Sequence, residues 1–164
     1  MSAYLKYGKT IKGESLAEGH KGSDGWIEVH SVQWGLGRGI SSPTGHSSKR
    51  EASAPSVTEV TVTKLMDSTS PKLALEALVG QAVVAIVELV ETGEGQLNTY
   101  LSLRLTNTMI AGYSFSGSGG RPSEHLTLNF TKIEMTYQGY DDQHKADPSK
   151  KKTFIYDVAA AQNK

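Results

Sequence analysis

The chain is expected to be mainly β, a closed or nearly closed β-barrel of mostly antiparallel strands with one short α-helix packed against it. Three observations predict this. Strand-like alternation of apolar and polar residues recurs along the chain, most cleanly at Leu101, Leu103 and Leu105. Only one segment has the caps and spacing of a helix. Strands and helices do not alternate, so parallel crossover units are not expected.

Taken in order, Tyr4–Tyr7 begins a strand, and a polar stretch 13–24 follows it. Ile27 and Val29 share one parity in the next strand, whereas Val32 and Trp34 fall on the other. One extra residue near His30–Ser31 restores the pattern, which predicts a β-bulge. Gly35, Gly37 and Gly39 come next, then a polar segment over 41–56 read as a long exposed loop. Val57–Met66 is the following strand. Ser70 suits a helix N-cap and Pro71 the first helical position, with Gly80 as the stop. Leu73 with Ala77, and Ala74 with Leu78, supply the apolar face.

The run 81–91 is apolar on both faces, as in a strand buried on both sides with one face against the helix. Thr92-Gly93-Glu94-Gly95 turns the chain. The alternation begun at Leu101 is read as continuing through Met109, Ala111, Tyr113 and Phe115. Gly117–Gly120 is a turn. Leu126, Leu128 and Phe130 then give way to Ile133, Met135 and Tyr137 on the other parity, predicting a second bulge near Thr131–Lys132. A charged loop over 139–152, a last strand through Phe154, Tyr156 and Val158, and a frayed tail 159–164 complete the single expected domain, 1–164.

Composition excludes several function classes. Lys+Arg and Asp+Glu are equal at 17 each, so the basic excess of a nucleic-acid binder is missing. The absence of cysteine removes disulfides, thiolate metal sites and cysteine nucleophiles. No apolar run approaches the roughly 20 residues of a spanning helix, and no secretory signal is read at the start of the chain. No nucleophile elbow, dinucleotide fingerprint or phosphate loop is present. Asp141, Asp142, His144 and Asp147 could offer oxygen ligands to a divalent cation, but a solvated loop is the favoured reading. Lys150-Lys151-Lys152 reads as a solvated charge run. Trp26 and Trp34 are read as packing residues, with a binding platform as the rival. Catalytic, cofactor-binding and metal residues are therefore all expected to be none.

Several segments together resemble a known family. They are Lys12-Gly13-Glu14-Ser15, Gly25-Trp26-Ile27-Glu28-Val29, Trp34-Gly35, Thr69-Ser70-Pro71-Lys72-Leu73 and Leu126-Thr127-Leu128-Asn129-Phe130 leading into Tyr137-Gln138. In this order, from about 3 to 158, they resemble the Hcp proteins (haemolysin-coregulated proteins) of bacterial type VI secretion. The resemblance implies a barrel with one helix, six-membered rings of the chain with itself, and rings stacked into an inner tube. It implies a spike protein, a contractile sheath and effector proteins carried in the lumen as partners. It implies no enzyme activity, no cofactor, no nucleic acid and no membrane insertion. The cytoplasm followed by export through the type VI system, without a signal peptide, is the implied location. The loop over 41–56 corresponds to a family loop that reaches a neighbouring ring. A β-barrel enzyme and a monomeric binding module are the alternatives.

Overall fold

The computed structural model describes residues 2–41, 51–93 and 95–163. Two antiparallel sheets carry the fold. The first holds β1 (Ser2–Tyr7), β2 (Trp26–Val29), β9 (Val83–Gly93), β10 (Gln96–Ser116), β12 (Lys132–Tyr140), β13 (Ala146–Asp157) and β14 (Gln162–Asn163). The second holds β3 (Ser31–Gln33), β8 (Val60–Leu65), β11 (Ser123–Asn129) and the end of β10. One short helix, α1 (Ser70–Val79), packs on β10. The expected mainly β, antiparallel fold with a single helix is what the described residues form.

Both predicted bulges are corners at which the chain passes from one sheet to the other. β2 pairs with β1, but β3, after His30, pairs with β8. The parity change between Val29 and Val32 is thus a change of partner. At the second corner, β10 pairs β12 through Leu101–Thr106 and β11 from Met109 onward. Asn107, at φ 55°, turns β10 there, in a conformation asparagine tolerates better than most residues. Thr131 donates its N–H to the Thr106 carbonyl at 3.1 Å, so both strands bend together.

This corner also corrects the reading of β10. Its alternation does not run on: beyond Asn107 the buried residues are Thr108 and Ile110, and Met109 and Phe115 are exposed. A second register shift between Ile110 and Gly112 turns Tyr113 back toward the core.

Other expectations are corrected in detail. The described part of the 41–56 loop is ladder-paired rather than irregular. β5 (Ile40–Ser41) pairs β6 (Glu51–Ala52), and β4 (Leu36–Gly37) pairs β7 (Ser56–Val57); 42–50 lies outside the described residues. The strand predicted from Val57 is divided, because Val57 belongs to this arm and β8 begins at Val60. The charged loop shrinks to 141–145, since β12 and β13 form a hairpin around it. The tail turns back as β14 on Tyr156 and Asp157. The helix starts one residue early, with Thr69 as N-cap, a shift within the usual uncertainty of helix ends. Ser70 instead accepts the Asp67 N–H at 2.9 Å. Gly80 ends the helix in an extended conformation, and a Cβ there would sit 2.4 Å from the Glu76 carbonyl oxygen.

The core lies between the two sheets. Leu5, Ile27, Val60, Val87, Leu105, Leu126 and Ile133 are fully buried in it, with Leu73 of α1 closing one side. Ala77 packs beside Leu73, but Leu78 is 82% exposed, so the helix buries only half of its expected apolar face.

Candidate functional site: surfaces for assembly

The second face of β9 is covered around Glu88 and Val90 by the segment 8–25 and not by the helix. Tyr4, Trp26 and Val90 are buried there beneath Ala17, with Ile86 and Leu97 beside them. His20 is the centre of this cover. Its ring stacks on Tyr4 at 4.6 Å, meets Trp26 edge-on at 4.6 Å, and places Nε2 2.7 Å from Glu88 Oε2. Lys6 Nζ lies over the Trp26 ring, 5.6 Å from its centroid. Trp26 is therefore a packing residue, and a platform on its face is ruled out. Trp34 packs against the main core.

Backbone proximity explains the glycine of the Lys12–Ser15 motif. Gly13 donates its N–H to the Gly22 carbonyl at 3.1 Å, and Gly22 donates to Ser15 at 2.7 Å. A Cβ on Gly13 would sit 2.1 Å from the Trp26 carbonyl oxygen. Glu14 accepts the Ser68 N–H at 3.1 Å, tying the cover to the approach to α1; the Ser68 hydroxyl and then this N–H hold its carboxyl below the usual range. Gly13→Ala is expected to cost about 1–3 kcal/mol of stability, as forced overpacking does. Urea unfolding checks it, with limited proteolysis for cleavage within 8–25. An unchanged midpoint would show that the close approach is not required.

A second polar cluster is buried between the sheets and the helix. Lys64 and Glu124 are directly opposite on β8 and β11, and both are fully buried. Lys64 Nζ lies 2.8 Å from Glu124 Oε2, 2.8 Å from Asp67 Oδ1 and 2.7 Å from the Leu65 carbonyl. Tyr113 donates its hydroxyl to the other Glu124 oxygen. Burial and then that glutamate push the Tyr113 hydroxyl up to about 12, so it remains a donor. The Asp67 carboxylate also accepts from the Thr69 N–H and hydroxyl. One ammonium is shared by two carboxylates, and each carboxylate also accepts from a neighbouring hydroxyl. The network fixes the start of α1 against β8, β10 and β11.

The arm is the third feature. Its three glycines fall on one face because they alternate along the strand. Each faces a hydroxyl on the returning strand. Gly35 exchanges two bonds of 2.9 Å with Thr58 Oγ1, Gly37 accepts from Ser56 at 3.2 Å, and Gly39 donates to Ser53 at 3.0 Å. A Cβ on Gly39 would reach Ser53 Oγ at 2.9 Å. Leu36 and Ile40 project from the arm, more than half exposed. The two-stranded ribbon thus carries apolar side chains in water.

A largely apolar groove of about 600 Å³ lies on the outward face of the first sheet. Val83, Val84 and Ile86 form its floor, and Lys6, Lys9 and Arg104 its rim. Its lining holds no carboxylate. Asp141, which the sequence placed in a candidate cation site, instead caps the β12–β13 turn by accepting the N–H groups of Gln143 and Lys145, each at 2.9 Å. Asp147 accepts from Ser149, which holds its carboxyl below the usual range. Among the described residues, no three His, Asp or Glu side chains group to hold a metal ion. Lys150, Lys151 and Lys152 stand exposed on β13, which among the described residues pairs β12 along its length and β14 only at Tyr156 and Asp157; lysines on such an edge discourage edge pairing.

Sequence reasoning missed the Lys64 cluster, the His20 cover and the groove. The first had a signal. Lys64 follows Val60 and Val62 at the same parity, and Glu124 precedes Leu126 and Leu128 likewise, so both charges stand at core positions.

Among the described residues, no helix is long and apolar enough to cross a membrane. Comparison with known proteins gives a consistent result. Residues 4–137 match the family described as "Type VI secretion system effector, Hcp". Protein hcp1 of Pseudomonas aeruginosa is 31% identical over 153 residues, covering 90% of this chain and 86% of the relative. A solved structure described as a type six secretion system protein superposes with a TM-score of 0.86 at 26% identity, over 99% of both chains. Hcp1 from Salmonella typhimurium shares the fold, with a TM-score of 0.75 at 24% identity over 99% of this chain and 98% of its own. The chain belongs to the Hcp family and is a type VI secretion tube protomer, a structural protein and not an enzyme.

Proposed function

We propose that the chain, acting as one Hcp-like unit over 1–164, assembles head-to-tail into six-membered rings that stack into the inner tube. In this reading the two sheets, joined at the β2–β3 and β10 corners, form a closed barrel wall. The arm between Gly35 and Thr58 bridges stacked rings. The tube is expelled by a contractile sheath together with a spike, and effector proteins travel in its lumen. The catalytic, cofactor and metal sites remain none.

The observation that carries this reading is the relationship to hcp1 across 90% of the chain, which includes the arm and both corners. The arm supports it independently, since Leu36 and Ile40 have no place against the protomer's own core. A heterologous contact whose rotation closes gives a ring.

Light scattering after size exclusion tests the ring. Six copies of 17.6 kDa give about 106 kDa, as expected for closed six-fold symmetry. A stable monomer at all concentrations overturns the reading. Leu36→Asp with Ile40→Asp is expected to leave folding within about 0.5 kcal/mol, as exposed substitutions do, and to retain the ring. Stacked tubes in electron micrographs should be lost. Tubes of normal length would remove the arm from ring stacking.

A further inference from the structure

We propose that the exposed end of α1 in one copy seats in the Lys6–Lys9–Arg104 groove of the next, and that this contact closes the ring. The inference deepens the ring reading and rests on it.

The two surfaces match in chemistry. The groove combines an aliphatic floor of Val83, Val84 and Ile86 with three cationic side chains. Among the described residues, none of the three has a carboxylate within ion-pair distance. Glu134 lies opposite Arg104 on β12 without reaching it. Ile86 sits between Lys6 on β1 and Arg104 on β10 in register, so cation, aliphatic and cation form one row across the sheet. Such a row favours an occupant with aliphatic side chains and negative charge.

The end of α1 has that composition. Leu75, Leu78 and Val79 are exposed on it, and Glu76 lies among them. No basic residue stands in its last turn, so the negative end of the helix dipole is left without a cation in the helix itself. The groove supplies three.

The surfaces are also placed for a second copy. α1 turns Leu73 inward against the core, whereas the groove opens on the outward face of the first sheet. Two different patches that complement each other make a heterologous contact, the kind that builds rings.

Charge reversal and cross-linking test the contact. Lys9→Glu with Arg104→Glu should raise the concentration needed for assembly about tenfold or more, since like charges then face one another. Adding Glu76→Lys should restore the ring mass. Glu76 is half-buried, so a second readout is independent of it. The chain has no cysteine, and Leu78→Cys with Val84→Cys in one chain should give, on oxidation, a disulfide ladder ending at six copies. Circular dichroism and melting identify any variant that fails to fold. If the wild type forms rings, the charge variants form them equally and the cysteines stay free, the contact is overturned and the ring reading stands. If the wild type is a monomer at every concentration, both fall.

Discussion

Lys64→Met will lower the unfolding free energy by about 3–5 kcal/mol, the cost of leaving a buried charge without its partner. Methionine fits the volume and removes a cation from the core, so simple hydrophobicity predicts the opposite sign. The loss arises in the residues left behind. Glu124 is fully buried, and its Oε2 loses a cation at 2.8 Å. Asp67 loses the same cation while still holding the Thr69 N–H at the start of α1. Replacing the three strand members, with Lys64→Met, Glu124→Leu and Tyr113→Phe together, should recover most of the loss, because no buried charge or orphaned hydroxyl remains between the strands, and Asp67 keeps its two Thr69 donors. Urea unfolding of single and combined variants measures the coupling directly. A single-variant cost below about 1 kcal/mol would place Lys64 in a wetter site than its geometry indicates. The raised Tyr113 value gives a direction with pH as well. Its contribution is complete below pH 10 and is lost as pH rises from 10 through about 12.

Local alternation made the strands legible, because side-chain parity is a property of the backbone and needs no partner. Leu101, Leu103 and Leu105 read correctly for that reason. Parity shifts at His30 and Thr131 were visible too, but a shift does not say whether a residue bulges or the strand changes sheets. That depends on β8 and β10, which lie far away in sequence. Gly35, Gly37 and Gly39 showed their alternation but were assigned to no strand, because glycine weakens a strand. The hydroxyls that pair with them, on Ser53, Ser56 and Thr58, come from the returning strand and compensate. The groove was illegible for the same reason: Lys9, Ile86 and Arg104 have no local relation. The family could be read because its motifs mark places where backbone geometry restricts residue choice. Gly13 against the Trp26 carbonyl is the clearest example.

Leu103→Ala is expected to destabilise the protomer by about 2–5 kcal/mol, the range for truncating a buried leucine. Leu103 is 3% exposed at the middle of β10, between Val87 on β9 and Met135 on β12. Strands on both sides hold its backbone, so the sheet cannot readily collapse into the space that alanine leaves. Ser102, its neighbour, points to the opposite face, opposite Glu88 and Thr136. Ser102→Ala should change stability by no more than about 0.5 kcal/mol. Assembly stabilises the folded state by mass action, so both variants must be unfolded at more than one protein concentration. A cost at 103 that persists at every concentration belongs to the protomer core. If it shrank toward zero on dilution, Leu103 would be stabilising the assembly and the assigned inward face of β10 would be wrong. Equal costs at 102 and 103 would likewise contradict the pleat that sets the two faces of this sheet apart.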